Sequence, residues 1–149
     1  MNRYTMCLMV MSLVGVITAD GAANAAAVPG ISGSVVNPTS STLLCPRLVG
    51  NQGVQNSTTC GGFITWSMPL PANQGSKTIT VNGTCGSVGM TCTAYATNQD
   101  GSSATVSSST LVGTNVNRAM TATVPGNGAL SLQCVIPQSC EIHTVNYDF

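Results

Sequence analysis

The sequence predicts an all-β protein, namely a two-sheet antiparallel β-sandwich of the immunoglobulin-like or jelly-roll-like kind that is held together by disulfides. Apolar and polar residues alternate with a period of two in several short segments, which is the pattern of half-buried strands. Turn residues separate these segments, and no window carries a sustained helical period. The 149 residues show no composition shift near the middle, so we expect a single domain.

Residues 1–27 are predicted to be a secretory signal peptide that is removed, and residues 28–149 to be the β-sandwich domain. Arg3 gives the start a positive charge, and an apolar run follows that is too short to span a bilayer. Small residues come next, so cleavage after Ala27 is expected, with Ala25 as the alternative. The mature protein is therefore predicted to be secreted or periplasmic, without a membrane span.

The first half of the domain is predicted to contain four short strands, at residues 31–36, 41–49, 63–68 and 77–82. Pro38 ends the first strand, and Pro46 implies an edge or bulge in the second. The polar, glycine-rich stretch 50–62 is predicted to be a loop, and Pro69 to end the third strand.

Trp66, the only tryptophan, is expected to anchor the core. Ile64 and Met68 share its side of the predicted strand, and buried aromatic side chains dominate the energetics of cores. The alternative, an exposed platform on which a sugar stacks, fits these apolar neighbours less well.

The strand at residues 89–96 is predicted to be central. Met90, Cys92 and Ala94 alternate there with threonine and tyrosine, as expected of a strand with one dry and one wet face. Asp100-Gly101 follows with the chemistry of a turn. The second half is predicted to add strands at residues 103–112, 115–124, 130–136 and 142–149, which gives about eight or nine strands in all.

Cysteines support an oxidising compartment. Cys7 leaves with the signal, and six remain, namely Cys45, Cys60, Cys85, Cys92, Cys134 and Cys140. An even number behind a secretory signal indicates disulfides, and none of these spacings is the Cys-x-x-Cys of structural zinc sites. Sequence alone leaves the pairing open. Cys85 with Cys92 is preferred as a short hairpin clip.

Charged residues are so rare that several functions can be set aside. After the signal they comprise Arg47, Lys77, Asp100, Arg118, Glu141 and Asp148. The opposite charges cancel, so the chain has no field that would attract nucleic acid or an anionic membrane. No nucleic-acid partner is expected.

Three short motifs resemble those of a group of small, uncharacterised secreted proteins of Gram-negative bacteria. They are Cys45-Pro46, the run Thr91-Cys92-Thr93-Ala94-Tyr95-Ala96, and Cys134-Val135-Ile136-Pro137 near the end. This sequence has Ala96 where the group usually has serine, and it carries Cys60, Cys85 and Cys140 in addition. The resemblance implies export and a β architecture, and it adds no catalytic residue.

No catalytic, cofactor-binding or metal-binding residue is predicted. His143 is the only histidine, and no nucleophile motif accompanies it, so a surface or edge histidine is expected. The carboxylates are too few for paired acid and base chemistry. The segment 98–102 has one acidic residue and is predicted to be a turn rather than a calcium loop.

The predicted function is that of an exported, non-enzymatic binding or structural domain at the cell surface or in the periplasm. Thr78, Thr80, Thr91 and Thr93 could form rows of hydroxyl groups that contact a polysaccharide. The alternative is that threonine is simply the preferred polar residue on solvated strand positions.

Three other functions stay open at this point. An edge strand could join the chain to an extracellular assembly of unknown stoichiometry. A small outer-membrane barrel is suggested by the alternation of Val145, Tyr147 and Phe149, although few aromatic residues are present for its girdles. An unrecognised hydrolase or inhibitor would use His143.

Overall fold

The computed structural model describes residues 25–29, 33–36, 46–49, 53–57 and 62–148. Nine strands run through these ranges: β1 (Ala25–Pro29), β2 (Ser34–Val36), β3 (Pro46–Val49), β4 (Gly53–Asn56), β5 (Phe63–Leu70), β6 (Gly75–Thr97), β7 (Ser103–Val124), β8 (Ala129–Pro137) and β9 (Glu141–Asp148). The all-β prediction is confirmed. Within the described ranges no helix is long and apolar enough to cross a membrane.

Four predicted strands are joined in pairs, which corrects the sequence-based boundaries. Residues 77–82 and 89–96 both belong to β6, and residues 103–112 and 115–124 both belong to β7. The pairing of β6 with β7 shifts register between Cys85 and Met90 and then resumes. The intervening residues, Gly86, Ser87, Val88 and Gly89, form a bulge rather than ending the strand.

Two smaller boundaries also differ from the prediction. Residues 53–56, expected in a loop, form β4, which pairs with β3 and β9. Strand β5 continues past Pro69 to Leu70. Because the described part of β2 covers only residues 65–67 of β5, Pro69 lies outside that pairing, where a missing N–H group is tolerated.

All described strands belong to one hydrogen-bonded sheet, and β6 lies at its centre. The order along the sheet is β2-β5-β8-β6-β9-β4-β3, with β1 on β9 and β7 on β6. Residues 79–84 of β6 pair with β9, whereas residues 91–97 pair with β8. Strand β6 therefore changes its partner on one side, while β7 follows it on the other.

Two hydrogen bonds show that β7 folds back on itself. Thr105 Oγ1 donates to the carbonyl oxygen of Thr123 at 2.9 Å, and Arg118 Nε donates to that of Thr110 at 3.3 Å. Eight residues of straight strand span about 26 Å, so the strand must turn sharply between residues 110 and 118. Positive φ angles of 112° at Gly113 and 50° at Asn115 lie within that turn.

The folded hairpin divides the sheet into two layers around one core. The first layer consists of residues 75–84 of β6 and 116–124 of β7, together with β9 and β1. The second layer is residues 90–97 of β6 and 103–111 of β7 with β8, β5 and β2. The predicted sandwich fits this arrangement, with the difference that its two layers are parts of one curled sheet.

Inward side chains of both layers form a single hydrophobic cluster. Trp66 is completely buried, so the prediction that it anchors the core is confirmed. Gly33 lies directly against its indole, because a Cβ on Gly33 would come within 2.1 Å of Trp66 Cε2. Among the described residues, the largest fully buried apolar side chains include Trp66, Ile79, Met90, Leu111, Leu132, Ile136, Ile142, Val81, Val124 and Val145.

Two disulfides cross-link β6 to neighbouring segments. They join Cys85 to Cys140 and Cys92 to Cys134. The preferred pairing of Cys85 with Cys92 is wrong, because both residues lie on β6. Cys92 instead faces Cys134 on β8, with 4.0 Å between their Cα atoms. Cys45 and Cys60 lie outside the described residues, as do residues 1–24 of the predicted signal.

The predicted cleavage site falls inside β1. Residues Ala25–Pro29 pair antiparallel with β9, from Ala25 opposite Asp148 to Pro29 opposite Thr144. Cleavage after Ala27 stays a prediction, and it would leave Val28 and Pro29 of this strand in the mature chain.

Candidate functional site

The outward side chains of the second layer form three rows across four strands, one row every second residue. The first row is Thr65, Val135, Thr91 and Thr110; the second is Ser67, Gln133, Thr93 and Ser108; the third is Pro69, Ser131, Tyr95 and Val106. Neighbours in a row are about 4.8 Å apart and successive rows about 7 Å apart. We call these residues the outer face.

Hydrogen bonds order the hydroxyl groups of the outer face. Thr91 Oγ1 lies 3.3 Å from Thr110 Oγ1, and Thr93 Oγ1 lies 2.9 Å from Ser108 Oγ. Each hydroxyl can donate one bond and accept two, so each pair keeps free capacity for a ligand. Rows of hydroxyl groups were expected at Thr91 and Thr93, and the structure places both residues there.

Thr78 and Thr80 lie elsewhere. They point outward from the first layer, opposite Thr121 and Ala119 of β7. Since the inward faces of both layers meet in one core, their outward faces point in opposite directions. The four predicted threonines therefore form two separate pairs on opposite sides of the domain.

Tyr95 adds an aromatic ring to the outer face that the sequence analysis did not single out. It is half-buried in the third row, between Val106 on β7 and Ser131 on β8. Strand alternation does predict its outward direction, since Cys92, Ala94 and Ala96 point inward. A tyrosine in this setting offers an apolar ring face and a polar hydroxyl group.

The outer face carries no charged side chain. All twelve residues of the three rows are neutral, and seven of them have hydroxyl groups on serine or threonine. Binding there would depend on hydrogen bonds and apolar contact, which salt screens little compared with ion pairs.

The first layer instead carries a chain of four polar side chains. Asn82 Nδ2 donates to Asn117 Oδ1 at 3.0 Å, and Asn82 Oδ1 lies 2.9 Å from His143 Nδ1. His143 Nε2 lies 2.7 Å from Glu141 Oε1. The predicted surface histidine is thus half-buried, with both ring nitrogens engaged.

The turn after β6 is confirmed at Asn98–Ser102. Ser102 donates from Oγ and from its backbone N–H to Asp100 Oδ1, at 2.6 Å and 2.9 Å. The side-chain hydrogen bond, which has the larger effect, and the backbone one hold the pKa of Asp100 below its ordinary value. Asn98 Nδ2 also donates to Ser102 Oγ at 2.9 Å. The carboxylate therefore organises the turn.

Asn56 is a structural residue that sequence reasoning missed. Its side chain is buried, and Nδ2 donates to the carbonyl oxygens of Ile136 at 2.9 Å and Gly62 at 3.2 Å. Its backbone bonds Cys140 and Ser139 at 3.0 Å and 2.9 Å. No periodic pattern marks such a residue, because its partners are brought together only by the fold.

The described part of the chain encloses no pocket, and it contains no group of histidine, cysteine and acidic residues that could hold a metal ion.

Comparison with known proteins supports the fold. No family model matches the chain, and no curated protein matches it. The chain is similar to the native structure of a family 35 carbohydrate-binding module from Clostridium thermocellum, with a TM-score of 0.58 and 11% identity, over 84% of this chain and 98% of that one. It is also similar to the apo structure of BiXyn10A CBM1, with a TM-score of 0.54 and 13% identity, over 83% and 96%. At these identities the similarity shows a shared β-sandwich fold.

Proposed function

We propose that this protein is an exported, non-catalytic carbohydrate-binding domain whose contact surface is the outer face. The observation that carries the proposal is the fold. This chain covers nearly all of a family 35 carbohydrate-binding module and of BiXyn10A CBM1, 98% and 96% of their lengths. Both of those proteins are named as modules that bind carbohydrate rather than as catalytic domains.

The chemistry of the outer face supports the same function. A sugar chain presents many hydroxyl groups and apolar C–H faces, and the rows offer hydroxyl groups, the amide of Gln133 and the ring of Tyr95. The even spacing of side-chain rows on an open sheet suits an extended ligand better than a small molecule, which is usually bound in a concave pocket.

The first layer supports a non-catalytic reading. His143 would be the base of a hydrolase, but its two nitrogens already face Asn82 and Glu141.

The two buried disulfides, Cys85–Cys140 and Cys92–Cys134, support export, because such bonds persist in oxidising compartments.

Retention on polysaccharides tests the proposal, with the two threonine pairs as matched variants. The mature protein is run through native gels that contain soluble polysaccharides and is mixed with insoluble ones. We expect Thr91→Val with Thr93→Val to abolish retention, because the hydroxyl groups are lost while shape and strand propensity are kept. The control, Thr78→Val with Thr80→Val, makes the same change on the opposite layer and should be retained like the wild type.

Equal retention of the two double variants would show that the outer face is not the binding surface. If the wild type is retained by no polysaccharide in the set, the proposed function is wrong.

A further inference from the structure

Exposed apolar side chains gather at one end of the outer face. Of the five large hydrophobic residues that are exposed in the described ranges, four lie there: Phe63 (61% exposed), Val88 (75%), Val112 (47%) and Val135 (40%). We call these four the apolar strip. The fifth, Val106, lies in the third row of the outer face, at the other end.

The register of the strands brings the strip together. Val135 is opposite Thr65, so Phe63, two residues away on β5, is its diagonal neighbour on the same face. On β7, Val112 packs beside Gly89, because a Cβ on Gly89 would lie 3.1 Å from Val112 Cγ2. Val88 precedes Gly89 in the bulge of β6, at the same end of the layer, and is exposed. The strip thus crosses from β5 to β7, about 14 Å at the spacing of adjacent strands.

Val135 belongs to both the strip and the first row, and Thr110 marks the border between them on β7. The hydroxyl group of Thr110 is bonded to that of Thr91, whereas its methyl carbon would lie 2.9 Å from a Cβ on Gly89. Thr110 therefore turns its polar atom towards the rows and its apolar atom towards the strip. None of the residues in the strip or the rows is charged.

We infer that the ligand of the outer face is a glycan that carries an acyl or alkyl chain, with the sugar on the hydroxyl rows and the chain on the apolar strip. This inference rests on the proposed function. Exposed apolar patches on soluble domains mark interaction sites. The strip is continuous with the rows, so a ligand that is polar at one end and apolar at the other matches both. Neither the rows nor the strip contains a charged side chain, although Arg118 lies beside them with its Nε on the carbonyl oxygen of Thr110. Anionic lipid surfaces are bound by clusters of basic residues rather than by one, so a neutral ligand is favoured.

Binding of alkyl glycosides tests the inference. Dodecyl glucoside and dodecyl maltoside, each below its micelle concentration, are compared by calorimetry with glucose and maltose. We expect the dodecyl compounds to bind at least tenfold more tightly than the free sugars. Phe63→Ser with Val88→Ser should remove that difference, and it should not disturb folding because both side chains are exposed. Ala119→Ser, a change to serine at an exposed position of the first layer, should leave the difference intact.

Several results would overturn the inference. They are equal affinity for alkylated and free sugars, unchanged binding by the Phe63→Ser, Val88→Ser variant, and equally tight binding of dodecylphosphocholine, which has no sugar. A wild-type dimer in light scattering that the double variant loses would show that a second copy covers the strip. If polysaccharide retention persists in any of these cases, the proposed function stands and only the alkyl chain is excluded. If the wild type binds no carbohydrate at all, both the proposed function and this inference are rejected.

Discussion

The two layers of the sandwich share the strands β6 and β7, and yet their outward surfaces differ in chemistry. In the first layer, Asn82 is linked to Asn117 and to His143, which bonds Glu141. In the second layer, the same strands present hydroxyl pairs, Tyr95 and two residues of the apolar strip, Val88 and Val112. The alternation of threonines along β6 is similar in both halves, so the difference comes from the other residues of β6 and β7, such as Asn82 and Tyr95, and from the partner strand, which is β9 in one layer and β8 in the other.

This difference shows that a surface pattern read along one strand is incomplete. The functional chemistry of a sheet lies in rows across strands, and each row combines residues that are far apart in sequence. Four predictions test how independent the two layers are.

The largest effect is expected from removing the disulfides. We expect Cys85→Ala with Cys140→Ala, and separately Cys92→Ala with Cys134→Ala, each to lower the free energy of unfolding by about 2–5 kcal/mol. The bonds close loops of 55 and 42 residues, which predicts a difference of only about 0.2 kcal/mol between the two variants. Urea unfolding, monitored by Trp66 fluorescence, measures the free energy of unfolding of both variants. A much larger loss in one variant would mean that the layers do not unfold as one unit.

Close approaches at two glycines should produce the next largest effect. A Cβ on Gly33 would meet the Trp66 ring at 2.1 Å in the second layer, and one on Gly83 would meet the carbonyl oxygen of Glu141 at 2.6 Å in the first. We expect each alanine substitution to destabilise by about 1–3 kcal/mol, as overpacking does. Only Gly33→Ala should shift the emission of Trp66.

Gly86→Ala is the matched control for both, because nothing lies within 4 Å of a Cβ at that position. A shift of Trp66 emission in the Gly83 variant would show that the first layer transmits strain to the second.

A smaller loss of stability is expected from variants on the two outward surfaces, and it should be larger for the first layer than for the second. Asn82→Ala removes hydrogen bonds to Asn117 and His143, each worth about 0.5–1.5 kcal/mol. Thr93→Val removes one exposed bond, to Ser108, and should change stability by less than about 0.5 kcal/mol. Thermal unfolding of the two variants measures these two losses of stability. Equal losses would mean that the hydroxyl rows stabilise the fold as much as the amide chain does.

The smallest effect is expected at the exposed turn that joins the long strands. Hydrogen bonds from Ser102 lower the pKa of Asp100 in the folded state, so its contribution to stability is present above the ordinary value of 3.8. That contribution is lost as the pH falls through the folded pKa. Asp100→Asn should therefore unfold at a slightly lower temperature than the wild type near neutral pH, and at the same temperature in strong acid. A difference that grows in acid would contradict this sign.

Much of the fold could be predicted from local pattern. The period-two alternation of β5 and β8 and the inward direction of Cys92 and Trp66 follow from which residues are apolar, since burial selects one face of each strand. The outward positions of all four predicted threonines follow in the same way. These features depend on neighbours in the chain, which a sequence shows directly.

The candidate site could be predicted only in part. Thr91 and Thr93 were identified as outward hydroxyl groups, but their partners Thr110 and Ser108 lie 19 and 15 residues away. The apolar strip combines Phe63, Val88, Val112 and Val135 from four segments, each of which looks like an ordinary exposed residue by itself. Cross-strand register decides such groupings, and single-strand patterns do not contain it.

The sequence by itself determined that the chain forms strands, which side of each strand is buried, and that its surface is almost free of charge. The tertiary structure alone decided that β6 and β7 run through both layers, that Cys92 meets Cys134, and that the four threonines lie on opposite sides. The physical reason is that the two kinds of interaction act over different separations along the chain. Burial of apolar side chains acts residue by residue along a strand, whereas pairing depends on hydrogen bonds between segments that only the folded chain brings together.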